Sequence, residues 1–257
     1  MAFLISRREL LAAGLGSVLL PSSPQQTVPE RLVVLTFDDG PASHATFVAP
    51  LLKKYGFGAT FFVCEFPPNF ADKTLYMTWE QMASLHAMGF EVGNHTIAHR
   101  SVTRETPEQF SQDLEALERK ASSFGIPRMV SFAYPSYGYT AAAIEVLKGH
   151  GYLFARAGLD RPYDPNADSP YVIPGFTATA TNRDVIMNAI RSATGGRIAV
   201  LTFHGVPDIE HPWVTTPREL FEEYLRFLAE HDYKAIALRD LARYLPPNPP
   251  LGVGFVR

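Results

Sequence analysis

Two adjacent carboxylates follow a strongly apolar stretch near the start of the chain. Residues 31–37 read Arg-Leu-Val-Val-Leu-Thr-Phe, and Asp38, Asp39, Gly40 and Pro41 come next. A run of β-branched and aromatic residues that ends at a Gly-Pro turn is typical of a buried strand. In parallel α/β proteins, reactive groups collect at the C-terminal ends of strands, so the two acids are candidates for chemistry. Taken alone, Asp-Asp-Gly-Pro is also typical of a polar turn.

Two histidines follow another predicted strand in the same way. His95 and His99 come at the end of the short predicted strand at residues 90–95. If the segment forms a helical turn, these two imidazoles can bind one metal ion, and a carboxylate from a neighbouring strand end would complete the set. Three protein ligands that leave a position open for water are typical of a catalytic metal site. A structural site would use four. Such a pair also arises by coincidence, but its place at a strand end, with Asn94 and Thr96 able to form hydrogen bonds nearby, favours a metal site.

The elements that must position these residues alternate along the chain. Apolar runs bounded by turn residues predict strands at 31–37, 59–64, 90–95, 128–134, 152–156, 171–173, 197–204 and 234–238. Helical spacing of apolar residues predicts helices at 44–55, 78–89, 107–124, 140–150, 182–193 and 216–231. Strands that alternate with helices favour parallel βα units and a barrel of seven or eight strands.

Capping patterns mark the starts of two of these helices. Thr78 with Gln81 and Thr216 with Glu219 have the spacing of a capping box, and Pro217 suits the first turn of the later helix. The aromatic residues Trp79 and Phe110 fall on apolar helix faces, which predicts core positions rather than sugar-binding ones.

Composition favours a single domain without a polyanionic partner. The 257 residues, 46% hydrophobic and 19% charged, suffice for one large core, and residues 30–245 contain no internal repeat or low-complexity linker. A net charge of −3 lacks the basic excess typical of proteins that bind nucleic acid or anionic membranes. Cys64 is the single cysteine, which rules out an internal disulfide and predicts a small buried hydrophobic residue.

The N-terminal residues have the layout of an export signal. Arg7 and Arg8 precede a short apolar run at residues 10–20, which is too short to span a bilayer stably. The pattern resembles the twin-arginine signal, whose cargo folds before export; a disordered arm or a single membrane anchor are the alternatives. We therefore expect export to the periplasm or the extracellular space, with no integral membrane span in the mature chain. The expected parts are a signal at 1–26, a catalytic domain at 27–245 and a proline-rich tail at 246–257.

Three motifs, in this order and spacing, resemble one known family. They are Thr36-Phe-Asp-Asp-Gly-Pro41, His95-Thr-Ile-Ala-His99 and Leu201-Thr-Phe-His204. In these motifs the chain is similar to the polysaccharide deacetylases of carbohydrate esterase family 4, the NodB-homology domain. The resemblance covers roughly residues 30–242, and its first two motifs together are highly specific. It implies a single-domain, deformed (β/α)7-8 barrel.

The resemblance also implies roles for the residues at the strand ends. Asp39, His95 and His99 would bind a divalent metal, usually zinc. Asp38 would be the general base, and His204 the general acid; a satisfied core histidine is the alternative for His204. These roles agree with the chemistry of amide hydrolysis, which needs an activated water, a stabilised oxyanion and a proton for the leaving amine.

The segment after the fourth predicted strand would supply the oxyanion donor by the same resemblance. That donor would be a backbone N–H in Tyr134-Pro-Ser-Tyr-Gly138, at Ser136 or Tyr137. The tyrosines at 134, 137 and 139 are also candidates for lining a cleft in which aromatic faces stack on pyranose rings. His211 and Trp213, which follow His204, are candidates for its rim.

The chain departs from the common family pattern in two places. Ala133 stands where many members have an arginine that pairs with the base aspartate. We expect Arg156, at the end of the fifth predicted strand, to bind Asp38 instead, because a guanidinium can hold a carboxylate bidentately; a surface strand cap is the alternative. The aspartate that usually orients the acid histidine is also absent. The candidates for its role follow Arg156 in the next loop and are Asp160, Asp164 and Asp168.

These observations together predict an exported, metal-dependent hydrolase of non-peptide C–N bonds. Its substrate would be a polysaccharide or peptidoglycan-type glycan, from which it removes N-acetyl groups in preference to O-acetyl groups. Two alternatives use the same residues: a carbohydrate-binding relative without catalysis, and a hydrolase of a small C–N substrate. The complete set of acids and histidines argues against the first alternative, and the missing arginine argues for it.

Overall fold

The computed structural model describes residues 26–246 and 249–250. The predicted export signal and most of the predicted proline-rich tail lie outside the described residues. The predicted single-domain (β/α) barrel is confirmed, and its regular elements run from Leu32 to Arg243.

The barrel consists of parallel strands that follow the predicted order. The strands are β1 (Leu32–Phe37), β2 (Thr60–Val63), β3 (Glu91–Asn94), β4 (Ser131–Ala133), β5 (Phe154–Leu159), β6 (Ile173–Thr177), β7 (Ala199–Phe203) and β8 (Lys234–Ile236). Each strand from β2 to β6 pairs with the strand that follows it in the chain, and β7 pairs with β1 along residues 33–37 of β1.

The barrel closes at the edge of β1 that does not face β7, where β1 pairs with two different strands. The C-terminal residues of β1, Thr36 and Phe37, pair with β2, whereas residues 32–34 pair with β8. Seven strands therefore form the closed ring, and β8 fills the gap at its N-terminal end. This division explains why the sequence fitted either seven or eight strands.

Helices surround the ring and follow the predicted order. They are α1 (Ala49–Tyr55), α2 (Trp79–Ala87), α3 (Pro107–Ser123), α4 (Ala141–Gly149), α5 (Arg183–Arg191) and α6 (Arg218–Glu230). The capping box of Thr78 and Gln81 is confirmed, and Thr106 with Gln109 forms a second one at α3. No helix in the described part of the chain is long and apolar enough to cross a bilayer.

Two predicted helix starts differ from the structure. The segment predicted as one helix at 44–55 begins with a π-helical turn at His44–Val48, and α1 follows with Pro50 in its first turn. The capping box predicted for Thr216 is wrong, because α6 is capped by Pro217 without a side-chain hydrogen bond. The Thr216 hydroxyl instead lies 3.5 Å from the carbonyl oxygen of Ala178.

Both faces of β1 are buried, as expected for a strand in a parallel barrel. Val33, Leu35 and Phe37 pack in the layer between strands and helices, which also contains Trp79 and Phe110. Leu32 and Val34 belong to a second cluster with residues such as Phe62, Phe154 and Val200. Trp79 and Phe110 are thus core residues, as predicted.

A buried histidine joins the segment after β1 to the segment after β7. The ring of His44 is fully buried beside Phe37 and Phe61, with ring centroids 5.4 and 5.5 Å away. Its Nε2 lies 2.9 Å from the carbonyl oxygen of His204, to which Nε2–H donates. Burial lowers the pKa of His44 to about 4, so the ring is neutral at physiological pH.

The neutral state of His44 predicts a pH dependence of stability. Its pKa falls from 6.5 to about 4 on folding, so between these values the unfolded chain binds more protons. The contribution of His44 to the free energy of unfolding should be complete above pH 6.5 and fall toward pH 4. The loss should reach about 3 kcal/mol.

His44→Gln isolates this contribution, because glutamine keeps an N–H donor for the His204 carbonyl but does not titrate. Urea unfolding at about pH 7.5 and about pH 5 should show a smaller loss of stability in this variant than in the wild type. His86→Gln, in the last turn of α2, is the control and should behave as the wild type. An equal loss in all three proteins would contradict the prediction.

Candidate active site

The predicted metal ligands meet at the C-terminal ends of β1 and β3. The ligand atoms of Asp39, His95 and His99 all lie within 4.8 Å of one another. Both imidazoles direct Nε2 toward the same carboxylate oxygen, Asp39 Oδ1, at 3.3 Å each. Two separate strand ends therefore deliver three donor atoms to one point.

The donor atoms fit a divalent metal. His95 Nδ1 lies 2.8 Å from the carbonyl oxygen of Ala133, so Nδ1–H donates to that oxygen and Nε2 is left free to bind a cation. Asp39 Oδ1 is buried and accepts no hydrogen bond of good geometry. Zinc uses a set of two nitrogen ligands and one oxygen ligand in catalytic sites. The other ring nitrogen of His95 is satisfied by the backbone.

The electrostatics of the three residues also favour a cation. Burial alone would raise the pKa of Asp39, but the nearby imidazoles of His95, His204 and His99 hold it well below its usual range. Burial, together with repulsion from His95, lowers the pKa of His99 to about 4. Burial opposes protonation of His95 as well, yet the nearby carboxylates of Asp39 and Asp38 raise its pKa. Asp39 therefore attracts positive charge to this point.

The backbone that positions His99 is not the helical turn that we predicted. The segment after β3 is irregular, and both Thr96 and His99 adopt left-handed conformations, with φ of 60° and 50°. Asn94 Oδ1 accepts a hydrogen bond from the Thr96 N–H at 2.8 Å and stabilises this turn. Asp39 is also left-handed, with φ of 69°, which allows two consecutive carboxylates to face one pocket.

Arg156 binds Asp38 inside the barrel. Its Nη2 lies 2.5 Å from Asp38 Oδ2, and both side chains are buried. The guanidinium lies between the rings of Phe62 and Tyr137, at 5.5 and 5.4 Å from their centroids. Arg156 is therefore not a surface strand cap. Asp38 Oδ1 has no hydrogen-bond partner in the described structure and is the free acceptor of this carboxylate.

His204 lines the same pocket as the two aspartates, a cavity of about 370 Å³. Its Nε2 lies 3.7 Å from Asp39 Oδ2, while its Nδ1 is buried and has no hydrogen-bond partner among the described residues. A satisfied core histidine would have such a partner, so that alternative does not fit.

The expectation that Asp160, Asp164 or Asp168 orients His204 is wrong. Since His204 Nδ1 has no partner within the described residues, none of these carboxylates binds it. Asp168 instead forms a bidentate pair with Arg161, at 2.7 and 2.8 Å, and accepts from the Asp164 N–H. These contacts stay within the loop after β5.

The loop predicted to supply the oxyanion donor borders the pocket through Tyr134, Ser136 and Tyr137. The Tyr134 hydroxyl donates to the carbonyl oxygen of Tyr171 at 3.0 Å, so it is not available to a substrate. The Tyr137 N–H donates to the Tyr134 carbonyl at 2.9 Å, and its hydroxyl lies 2.6 Å from Thr177 Oγ1. Ser136 is exposed and left-handed, with φ of 56°. Of the two candidate N–H groups, that of Tyr137 is already used. Tyr139 packs its ring on Tyr134, with centroids 5.7 Å apart.

Sequence reasoning missed one aromatic wall of the pocket. Phe66 lines the cavity and contacts the ring of His99, with centroids 4.5 Å apart. Phe66 lies shortly after the end of β2, and a place beyond a strand end is a signal for a site residue. The prolines that follow Phe66 obscured this signal. His211 and Trp213 line the cavity as well, as the sequence had suggested.

The region that contains the aspartate and histidine motifs determines the family of the chain. A family model described as polysaccharide deacetylase matches residues 25–155, about half of the chain, and this region includes Asp38, Asp39, His95 and His99. The chain belongs to the polysaccharide deacetylase family.

Two relatives and one solved structure illustrate the similarity. A chitin deacetylase of Pestalotiopsis sp is 29% identical over 135 residues, 52% of this chain and 43% of the relative. A peptidoglycan-N-acetylglucosamine deacetylase of Bacillus cereus is 28% identical over 112 residues, 43% of this chain and 46% of the relative. The chain spans less than half the length of the curated relatives it matches.

The solved structure shares the fold over nearly its whole length. A family 4 acetyl xylan esterase from Clostridium thermocellum, in complex with a cobalt ion, superposes with a TM-score of 0.59 at 20% identity. The match covers 84% of this chain and 93% of that structure.

Loss of the Arg156 side chain should destabilise the protein without removing the metal ligands. Arg156→Ala leaves the buried Asp38 carboxylate without its cation, and removal of one partner of a buried ion pair costs about 3–5 kcal/mol. Turnover should fall at least about a hundredfold, since Asp38 loses its orientation. The content of divalent metal, measured by atomic emission, should match the wild type, because Arg156 binds Asp38 rather than Asp39, His95 or His99.

Arg161→Ala is the control for this variant. It breaks the half-exposed pair with Asp168 and should cost at most about 1 kcal/mol. Urea unfolding compares the two variants. Equal stability losses, or a lower metal content in Arg156→Ala, would contradict the role given to Arg156.

Proposed function

We propose that the protein is a metal-dependent hydrolase that removes N-acetyl groups from a polysaccharide or peptidoglycan-type glycan. The observation that carries the proposal is the convergence of Asp39, His95 and His99 beside a second carboxylate, Asp38, in a pocket of a polysaccharide deacetylase chain. Relatives that act on chitin and on peptidoglycan support the substrate class.

A divalent metal, zinc by its ligand set, would supply Lewis acidity at Asp39, His95 and His99: it polarises the acetyl carbonyl and makes a water molecule more acidic. The protein fixes the ligands for this purpose. The Ala133 carbonyl holds the tautomer of His95, and Phe66 packs against the ring of His99.

Asp38 would act as the general base. Asp38 lines the pocket beside Asp39; its Oδ2 is occupied by Arg156, whereas its Oδ1 has no hydrogen-bond partner among the described residues. Oδ1 can therefore accept the proton of the attacking water. Arg156 keeps the carboxylate in one orientation and offsets its charge.

His204 would act as the general acid on the leaving nitrogen. Its imidazole lines the pocket, and the backbone at its carbonyl is held by His44. The proton it delivers converts a poor amide leaving group into a free amine. The Ser136 N–H would donate to the oxyanion, since the Tyr137 N–H is bound to the Tyr134 carbonyl.

The decisive test compares metal content and acetate release in the wild type and His95→Ala. The wild type should bind close to one zinc per chain and release acetate from N-acetyl chitooligosaccharides or peptidoglycan fragments. His95→Ala should lose most of the metal and at least about a thousandfold in kcat/KM. His86→Ala is the matched control and should retain both.

Four results would contradict the proposal or redirect it. Acetate release by metal-free wild type, or full activity of His95→Ala, would contradict the metal mechanism. Release from acetylated xylan but not from N-acetyl glycans would make the protein an O-deacetylase. Activity on small amides alone would remove the glycan from the proposal.

We also propose that the protein is exported through a twin-arginine signal. The support is the pair Arg7 and Arg8 before the apolar run at residues 10–20. Replacement of both arginines by lysine should keep the protein in the cytoplasm, measured by cell fractionation, whereas Glu9→Gln should not. Unchanged export of the double lysine variant would contradict this route.

A further inference from the structure

Two loops beside the pocket are joined into one wall. Residues 64–77 follow β2, and residues 204–216 follow β7. Phe66 from the first loop packs against His211 from the second, with ring centroids 4.8 Å apart, and Asn69 Nδ2 donates to Glu210 Oε1 at 2.5 Å. Because Phe66 also contacts His99, the wall is continuous from a candidate metal ligand to the rim of the pocket.

The outer part of this wall is held in a defined position. Asp208 is buried and accepts hydrogen bonds from the N–H groups of Gly205 and His211, at 3.2 and 2.7 Å. The His211 backbone is anchored in this way, and its ring meets Trp213 edge-on, with centroids 5.3 Å apart at 71°. Trp213 is therefore supported by a fixed neighbour.

Trp213 nevertheless remains open to solvent. It is 70% exposed, and Ile209 on the same loop is 73% exposed, more than any other large hydrophobic residue of the described chain. Trp213 also lines the pocket that contains Asp38 and Asp39. A supported aromatic ring that faces solvent at the rim of a reactive pocket is typical of a ligand contact rather than of a core residue.

We propose that Trp213 is a stacking platform for a pyranose ring of the glycan chain, next to the ring whose acetyl group is removed. The inference rests on the proposed function. A glycan chain with one acetyl group in the pocket must pass over the rim of the pocket, where Trp213 lies. A pyranose has C–H groups on its faces and hydroxyls on its edges, which suits an indole with the polar side chains of Glu210 and Asn69 in the same wall.

The charge of the loop disfavours a membrane as the occupant. Residues 204–216 contain Asp208 and Glu210 but no lysine or arginine. An anionic lipid surface attracts basic segments, so this loop lacks the charge that would hold it there.

The two tryptophans of the chain make the proposal measurable without catalysis. Trp79 is 5% exposed and Trp213 is 70% exposed, so acrylamide should quench mainly Trp213. Either tetra-N-acetylchitotetraose or acetylated xylotetraose should shield Trp213 in the wild type and lower the quenching constant at least about twofold. If neither oligosaccharide shields it, the platform does not exist.

Kinetics provide the second arm of the test. Trp213→Ala should lower kcat/KM for the tetrasaccharide that is turned over by about tenfold, through KM, and should affect hydrolysis of a small aryl acetate much less. Val185→Ala, at a half-exposed position on α5, is the control and should change neither rate. Unchanged KM in Trp213→Ala, or equal loss on both substrates, would overturn the proposal.

The two arms separate this inference from the proposed function. If an oligosaccharide shields Trp213 but no acetate is released from any glycan, the platform stands and the deacetylase proposal fails. If acetate is released and Trp213 stays quenchable, the deacetylase proposal stands and the platform fails.

Discussion

Two carboxylates lie side by side and out of water at the end of β1, and the surrounding structure compensates their charge. Burial of one ionised carboxylate is costly, and burial of two adjacent ones would raise the pKa of at least one of them. The protein provides each carboxylate with a different partner. Asp38 has the guanidinium of Arg156 at 2.5 Å, whereas Asp39 has two imidazole nitrogens at 3.3 Å and room for a cation. One carboxylate is thus paired with a buried guanidinium, and the other faces two imidazoles.

The geometry around these charges is obtained from unfavourable backbone conformations. Among the described residues, nine other than glycine have positive φ, and five of them lie in the loops of the site: Asp39, Thr96, His99, Ser136 and Tyr137. Such conformations cost on the order of 1–3 kcal/mol each and persist where the surrounding structure enforces them. The closed barrel provides that enforcement, because each loop starts from a strand that is hydrogen-bonded on both edges. Strain at the strand ends is therefore supported by regular pairing beneath them.

The site also depends on contacts between segments that follow different strands. β1 and β7 pair along residues 33–37 and 199–203, so Asp38 and His204 emerge side by side. His44 and Ser43 then bind the backbone beyond β7: His44 donates to the His204 carbonyl, and Ser43 Oγ accepts from the Val206 N–H, each at 2.9 Å. The aspartate motif and His204 are in this way parts of one hydrogen-bonded unit, although about 160 residues separate them.

The sequence by itself determined the alternation of strands and helices, the barrel, the three motifs and the places of Asp38, Asp39, His95, His99 and His204 at strand ends. These follow from local properties, since apolar periodicity and turn residues are written in neighbouring positions. It also indicated Arg156 as a partner for Asp38, because an unmatched carboxylate requires a cation and this arginine ends a buried strand.

Only the tertiary structure decided the remaining features, because they depend on contacts across the barrel. The left-handed turn at His99, the failure of the three loop aspartates to reach His204, the position of Phe66 and the burial of the Tyr134 hydroxyl all involve groups from different strand ends. Closure of the ring by seven strands, with β8 beside the N-terminal half of β1, has the same origin. Local pattern defines which residues arrive at the strand ends, and the closed sheet defines which of them touch.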